Sequence, residues 1–210
     1  MKNKKLNKDR LFMRMMNGSV GDEIRDSYPC DDILDLTVGY RWLNVQEDGV
    51  RTSEPLKNEE LEELGICRDS LFELARKNTK DLFSTRLYRL EDLVRRICEG
   101  SEACDLMGKE EPLNTNEIYV CTNDSGMFGA AVMLLEDVMK EIADRLTGKL
   151  YILPSSIHEV ILVPGIEAYD LNMLKDTVRS VNSTVVSKCD FLSDNVYSFD
   201  SHTGKVEIVL

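Results

Sequence analysis

Histidine is scarce in this chain, with two among 210 residues. No histidine lies at zinc-ligand spacing from a cysteine, and H-E-x-x-H is missing. No apolar run approaches the roughly 20 residues that span a bilayer. The amino end, MKNKKLNKDRLFMRMMNGS, lacks the continuous apolar stretch of a signal peptide, so the expected location is the cytoplasm. Positive charge is also short: 26 Lys and Arg face 38 Asp and Glu, giving a net charge of −12 and a pI near 4.7. Such a surface repels a phosphate backbone and excludes a general nucleic-acid binder. Only the first 16 residues are distinctly basic; they read as a solvated helix or a frayed end. Met13, Met15 and Met16 read as completing a helix against the core.

Other signatures are missing as well. The six cysteines, Cys30, Cys67, Cys98, Cys104, Cys121 and Cys189, include no C-x-x-C pair. They are expected to be scattered reduced thiols. There is no G-x-S-x-G elbow, no Walker loop, no EF-hand spacing, no repeat and no coiled-coil heptad. The acidic patches Asp31-Asp32-Asp35 and Glu59-Glu60-Glu62-Glu63 therefore read as a solvated turn and a solvated helix face. No cofactor and no metal are implied.

What is present is an ordinary globular composition, 42% hydrophobic and 30% charged, with apolar residues in clear periods. Val38, Tyr40 and Trp42 alternate along one strand. VRTSEPLK reads as a second strand, limited to an edge by Pro55. Asn58 is placed to cap a short helix that Gly65 closes. RDSLFELARKNTKDLF reads as a longer helix, STRLYRL as a short extended piece. LEDLVRRICEG reads as a helix with Leu90, Leu93, Val94, Ile97 and Cys98 on one face. Residues 101 to 115 have no period and read as a joint. After it come EIYVCTN and GAAVML as strands joined by the turn NDSGMF, and LEDVMKEIADRL as the clearest helix. Two strands, LYILP and EVILVP, follow. A helix capped by Asp170 buries Leu171, Leu174, Val178 and Val181, and the chain ends in a hairpin. Together these give an α+β fold: a mixed, largely antiparallel sheet with helices packed on one face. The expected division is an amino-terminal subdomain, 1 to 105, and a sheet subdomain, 116 to 210, or one compact domain overall.

The densest group of chemically capable side chains is LPSSIHEVILVP, residues 153 to 164. Ser155, Ser156 and His158 are the catalytic candidates. Ser156 and His158 are two apart, and on a strand they share a face. The other reading is a Pro-Ser-Ser turn whose hydroxyls bond to local backbone, with no ordered carboxylate behind His158. Asn123, Asp124 and Ser125, in a polar turn, and Glu159 are binding candidates. If that turn lies beside His158, the two stretches line one polar cleft.

The run LYILPSSIHEVILVP, followed by a helix, Asn182-x-Thr184 and LSDNVYSFD, resembles the domain-of-unknown-function family 5688, from anaerobic gram-positive bacteria, often near mobile elements. DILDLTVGYRW, LKNEEL…LGI, LFELARKNT and YVCTNDSGMFGAAVMLLEDVMKEIADRL extend the resemblance to nearly the whole chain. Gly39 and Pro55 depart from it, interrupting strands where that family tends to be apolar. A segment before Leu6 to Asp35 is also absent, which implies a shortened member. A fainter similarity, through ELA…N, ND…GA…LL and YILPS, links a second uncharacterised bacterial family. The resemblance implies no established activity, cofactor or catalytic residue. The expected function is a non-enzymatic interaction or regulatory module, with a basic protein as partner. The alternative is a small-molecule or acyl hydrolase using Ser156 and His158.

Overall fold

The computed structural model describes residues 7–46, 49–154, 156–166 and 169–210. The chain divides into two compact units, Met1–Phe83 and Ser84–Leu210, each with its own sheet. The expected joint at 101 to 115 is a loop within the second unit, and the strand and helix preceding it belong to that unit.

The amino unit begins with a 3-10 turn at Lys8–Arg10 and strand β1 (Leu11–Asn17), where a helix or frayed end was expected. Leu11, Phe12 and Met13 are buried, and from there buried Met13 and Met15 alternate with partly exposed Arg14 and Met16, the period of a strand. The methionines thus complete a strand. Helix α1 (Asp22–Ser27), β2 (Cys30–Ile33) and the long β3 (Leu36–Val45) follow. The turn into β3 holds Leu34 at φ +59°, a left-handed conformation that costs a branched side chain energy. Strand β3 pairs antiparallel with β1 along one side; β2 and β4 (Arg51–Pro55) share its other side. Pro55 is the last residue of β4, where a missing N–H is tolerated.

Helix α2 (Asn58–Leu64) starts one residue earlier than expected, at Asn58 itself, with Lys57 as its cap. Asn58 is already helical, and its amide donates to the Asp26 carbonyl at 2.9 Å. The Glu60 carboxylate instead receives the Lys57 N–H at 3.0 Å and the Trp42 indole N–H at 3.0 Å. Gly65, at φ +59°, ends the helix. Helix α3 (Arg68–Leu82) lies along β1. Its buried Asn78 donates to the carbonyls of Lys8 (2.7 Å) and Leu11 (2.9 Å). Thr79 accepts the Met13 N–H at 2.9 Å.

The carboxyl unit runs β5 (Thr85–Arg89), α4 (Leu90–Glu99), β6 (Tyr119–Asn123), a 3-10 helix (Gly129–Leu134), α5 (Glu136–Asp144), β7 (Lys149–Leu153), β8 (Val160–Pro164), α6 (Leu171–Thr184), β9 (Tyr197–Asp200) and β10 (Lys205–Ile208). The sheet order is β10-β9-β7-β8-β6-β5, with every described pair antiparallel. GAAVML, read as a strand, is the 3-10 helix: both sides of β6 are taken, by β5 and β8, so no edge beside it is open.

Register separates the two faces. Leu150 and Ile152 of β7, Val160 and Leu162 of β8, and Tyr197 and Phe199 of β9 share one face and are 0–1% exposed. Helix α5 and the 3-10 helix lie against these strands. The alternate residues Tyr151, Leu153 and Val163 form a cluster with Val178 of α6. The fold is the expected α+β, but the helices divide between the two faces. The reason is the strands themselves: both sides are apolar and both need cover.

Two apolar stripes are covered less than their pattern implies. Only Val178 of α6 is buried; Leu171, Leu174 and Val181 are partly exposed. Helix α4 buries no residue, and Val94 and Ile97 are 50% and 84% exposed. The loop after α4 is fixed by Asp105, which receives the Arg86 guanidinium at 2.6 Å and the amides of Leu87 (3.1 Å) and Met107 (3.0 Å). Burial pushes the Asp105 carboxyl up, but these donors outweigh it and hold the group below the usual carboxylate range. Among the described residues, no helix is long and apolar enough to cross a membrane.

Candidate functional site

Three loops of the carboxyl unit meet at His158. The first, Asn123–Phe128, leaves β6. The second, Pro154–Glu159, joins β7 to β8. The third, Ser187–Asp190, follows α6. Ser155 lies outside the described residues; the other candidates are placed as follows.

Ser156 is 8% exposed. Its hydroxyl donates to the Glu159 carboxylate at 2.7 Å and accepts the His158 backbone N–H at 3.0 Å. The turn closes through the Ser156 N–H and the Glu159 carbonyl at 3.4 Å. This is the local hydroxyl-to-backbone bonding that a Ser-containing turn favours. The Ser156 hydroxyl thus bonds to the turn and to Glu159.

The imidazole of His158 has a polar neighbour at each nitrogen. Nδ1 accepts the Phe128 N–H at 3.3 Å. That bond requires an unprotonated Nδ1, so the neutral ring carries its proton at Nε2. Nε2 lies 3.6 Å from Asp190 Oδ1, with both side chains about one-third exposed. The carboxylate not expected behind His158 is therefore Asp190. It is itself held: Oδ2 accepts the Ser187 hydroxyl at 2.7 Å, and its carbonyl accepts the Ile157 N–H at 2.9 Å. The Phe128 ring stacks near the imidazole at a centroid distance of 6.0 Å.

The polar turn after β6 does come beside this stretch. The Thr122 hydroxyl donates to the His158 carbonyl at 2.8 Å, and the Ala130 N–H to the Ile157 carbonyl at 3.3 Å. Within the turn, the Asn123 carbonyl oxygen Oδ1 accepts the Ser125 N–H (3.0 Å) and hydroxyl (2.8 Å), and the Asn123 amide donates to the Met127 carbonyl at 2.8 Å. The Asp124 N–H donates to the Ser84 carbonyl at 2.9 Å. Asn123 and Ser125 thus shape the loop itself. The left-handed residues are Gly126 (φ +67°) and Phe128 (φ +57°). Phe128, bent this way, turns its N–H onto His158. Gly129 must be glycine because of close approach: a Cβ there would lie 2.3 Å from the His158 carbonyl oxygen and 2.4 Å from the Thr122 hydroxyl.

Chemically, the arrangement supplies a partly exposed histidine with a carboxylate 3.6 Å from Nε2, beyond hydrogen-bond distance, able to hold or pass a proton there. In a serine relay the nucleophile bonds to the imidazole. Here the Ser156 hydroxyl bonds elsewhere. Asp190 was missed because it lies beyond α6 in the chain; its one local signal is Ser187 at the start of a Ser-x-x-Asp turn. Among the described residues, no three His, Cys, Asp or Glu side chains are grouped to hold a metal ion. Asp31 and Asp32, expected in a solvated turn, lie in β2 and are bonded to Tyr40 and to Arg25 with Thr37, respectively. Of the cysteines, Cys30 and Cys121 are buried and the rest exposed; burial pushes the Cys121 thiol far up, away from a reactive thiolate.

An α+β chain with two antiparallel sheets is the class these observations define. The family of unknown function DUF5688 matches residues 1–201, and the chain belongs to it. No curated protein and no solved structure matches the chain.

Proposed function

We propose that the protein is a non-enzymatic protein-interaction or regulatory module of the bacterial cytoplasm, encoded near mobile elements, and that α4 is its contact face. The observation that carries this reading is the uncovered stripe of α4, with Val94 50% and Ile97 84% exposed. An amphipathic helix in water ordinarily turns its apolar stripe inward. The helix and the loop after it also expose Glu91, Glu99 and Glu102 together with Arg95 and Arg96, and Glu91 pairs with Arg95. An exposed apolar strip on a chain of net charge −12 fits a basic protein segment carrying apolar anchors. The decisive experiment is affinity capture with wild type and the Val94→Asp/Ile97→Asp double variant, followed by titration of the recovered partner in purified form. The expected outcome is salt-sensitive binding to wild type, loss in the double variant, and an unchanged melting temperature. Equal binding by both would sink the reading.

A second reading is an acyl or small-molecule hydrolase using Ser156 and His158. It is favoured by Asp190, 3.6 Å from His158 Nε2. It requires Ser156 to leave Glu159 and Nδ1 to leave the Phe128 N–H. A screen of general esterase substrates with wild type and His158→Ala separates the two: histidine-dependent turnover selects the hydrolase.

A further inference from the structure

The sheet of the amino unit has a second face. Phe12, Arg14 and Met16 of β1 stand opposite Arg41, Gly39 and Thr37 of β3, so Arg14 and Arg41 are diagonal neighbours on that face. Between them Gly39 adds no side chain, and the Met16 methyl reaches over it; a Cβ at 39 would meet that methyl at 2.8 Å. Cys30, Pro55, Ile24 and Tyr28 complete a hollow of about 180 Å³. Gly39 and Pro55, the two residues that interrupt the strands' apolar run, both line it.

The hollow combines two guanidinium groups with mainly apolar walls. Ser53 positions Arg41: Nε donates to its hydroxyl and Nη2 to its carbonyl, both at 2.9 Å. Burial lowers the Arg41 pKa, and the charge of Arg14 lowers it further; Glu54 offsets part of this. Glu54 stands opposite Trp42 in the register, and hence on the other face of the sheet, where it accepts the Asn44 amide at 2.9 Å. Both positive groups line the hollow, and the charge of Arg14 is felt at Arg41, in a chain whose net charge is −12. A carboxylate in the hollow meets both positive charges.

We propose that this hollow binds a small organic carboxylate, its two oxygens bridging Arg14 and Arg41 and its apolar body lying against Met16, Ile24, Tyr28 and Pro55. A planar carboxylate matches the guanidinium fork. The volume is below the roughly 300–1,000 Å³ of pockets for drug-sized ligands, so the occupant has few heavy atoms. Inorganic phosphate shares the charge, but it would give up hydration against apolar walls without an apolar body to compensate.

The test is calorimetric titration and thermal melting of the full chain with benzoate and isovalerate, with their uncharged amides, and with inorganic phosphate. The acids should give saturable heats and raise the melting temperature; the amides should give neither. Phosphate should bind about tenfold or more weakly than the better acid. Arg14→Gln should weaken the acids by about tenfold or more. Ile24→Trp keeps both arginines, fills the mouth from an exposed position, and should also lose the acids. The proposal is overturned if neither acid binds, if amides bind as well as acids, if phosphate binds as tightly as the better acid, or if Ile24→Trp retains full affinity.

Discussion

In the carboxyl unit both faces of the sheet are buried: Ile152 is 0% exposed on one and Val163 0% on the other. In the amino unit one face is alike, with Met13, Met15, Val38 and Tyr40 at 0–2%. Its other face holds Arg14, Gly39 and Arg41 around a hollow. The strands are equally antiparallel; the cover differs. Helices α5 and α6 take opposite faces of the larger sheet, whereas α3 lies along strand β1 of the smaller one. A sheet face with partial cover can keep charged residues, and charged residues are what a ligand can use.

The largest expected effects test this contrast directly. Ile152→Ala and Leu153→Ala point to opposite faces of the larger sheet, and each should cost about 2–5 kcal/mol in urea unfolding. Met13→Ala should fall in the same range, while Met16→Ala, beside the hollow, should stay below about 1 kcal/mol. Equal costs at Met13 and Met16 would remove the distinction between the faces.

Thr79→Ala comes next. It leaves the Met13 N–H without its 2.9 Å acceptor, a loss of about 1–3 kcal/mol for a buried donor. Amide exchange at Met13 should speed up accordingly. A smaller effect is expected at Asp105, whose folded pKa lies below the usual range. Its contribution is fully present above the unfolded value of about 3.9 and is lost as pH falls through the lower folded value. Asp105→Asn should therefore be less stable than wild type at neutral pH, and its stability should fall less steeply below about pH 4. The smallest effect is expected for Asp32→Asn, because the Arg25–Asp32 pair is solvent-exposed; a change there as large as at Asp105 would count against the ranking.

Much of the larger sheet could be read from pattern alone. The apolar runs that stop at Pro154 and Pro164 became β7 and β8, LEDVMKEIADRL became α5 although the helix stops at Asp144 and leaves Leu146 outside it, and Asp170 caps α6 through the Asn172 N–H. GAAVML could not be read, since a short apolar run has no period that separates strand from buried helix. In β1 the basic flank and the methionines hid the alternation. Helix α4 was legible as amphipathic, but a stripe does not say what covers it. The His158–Asp190 contact joins distant parts of the chain, and Phe128's left-handed backbone has no residue-type signal. Both depend on how the loops cross.

The position of α3 has a further consequence. Strand β1 pairs with β3 on one side alone, and a bare outer strand is a template on which another extended chain can grow. Asn78 and Thr79 occupy the outward groups of Leu11 and Met13. They turn a self-propagating edge into a dead end. Loosening of α3 would expose that template before the sheet itself comes apart, so the first sign of failure in this unit should be polymerisation, with the strands still intact.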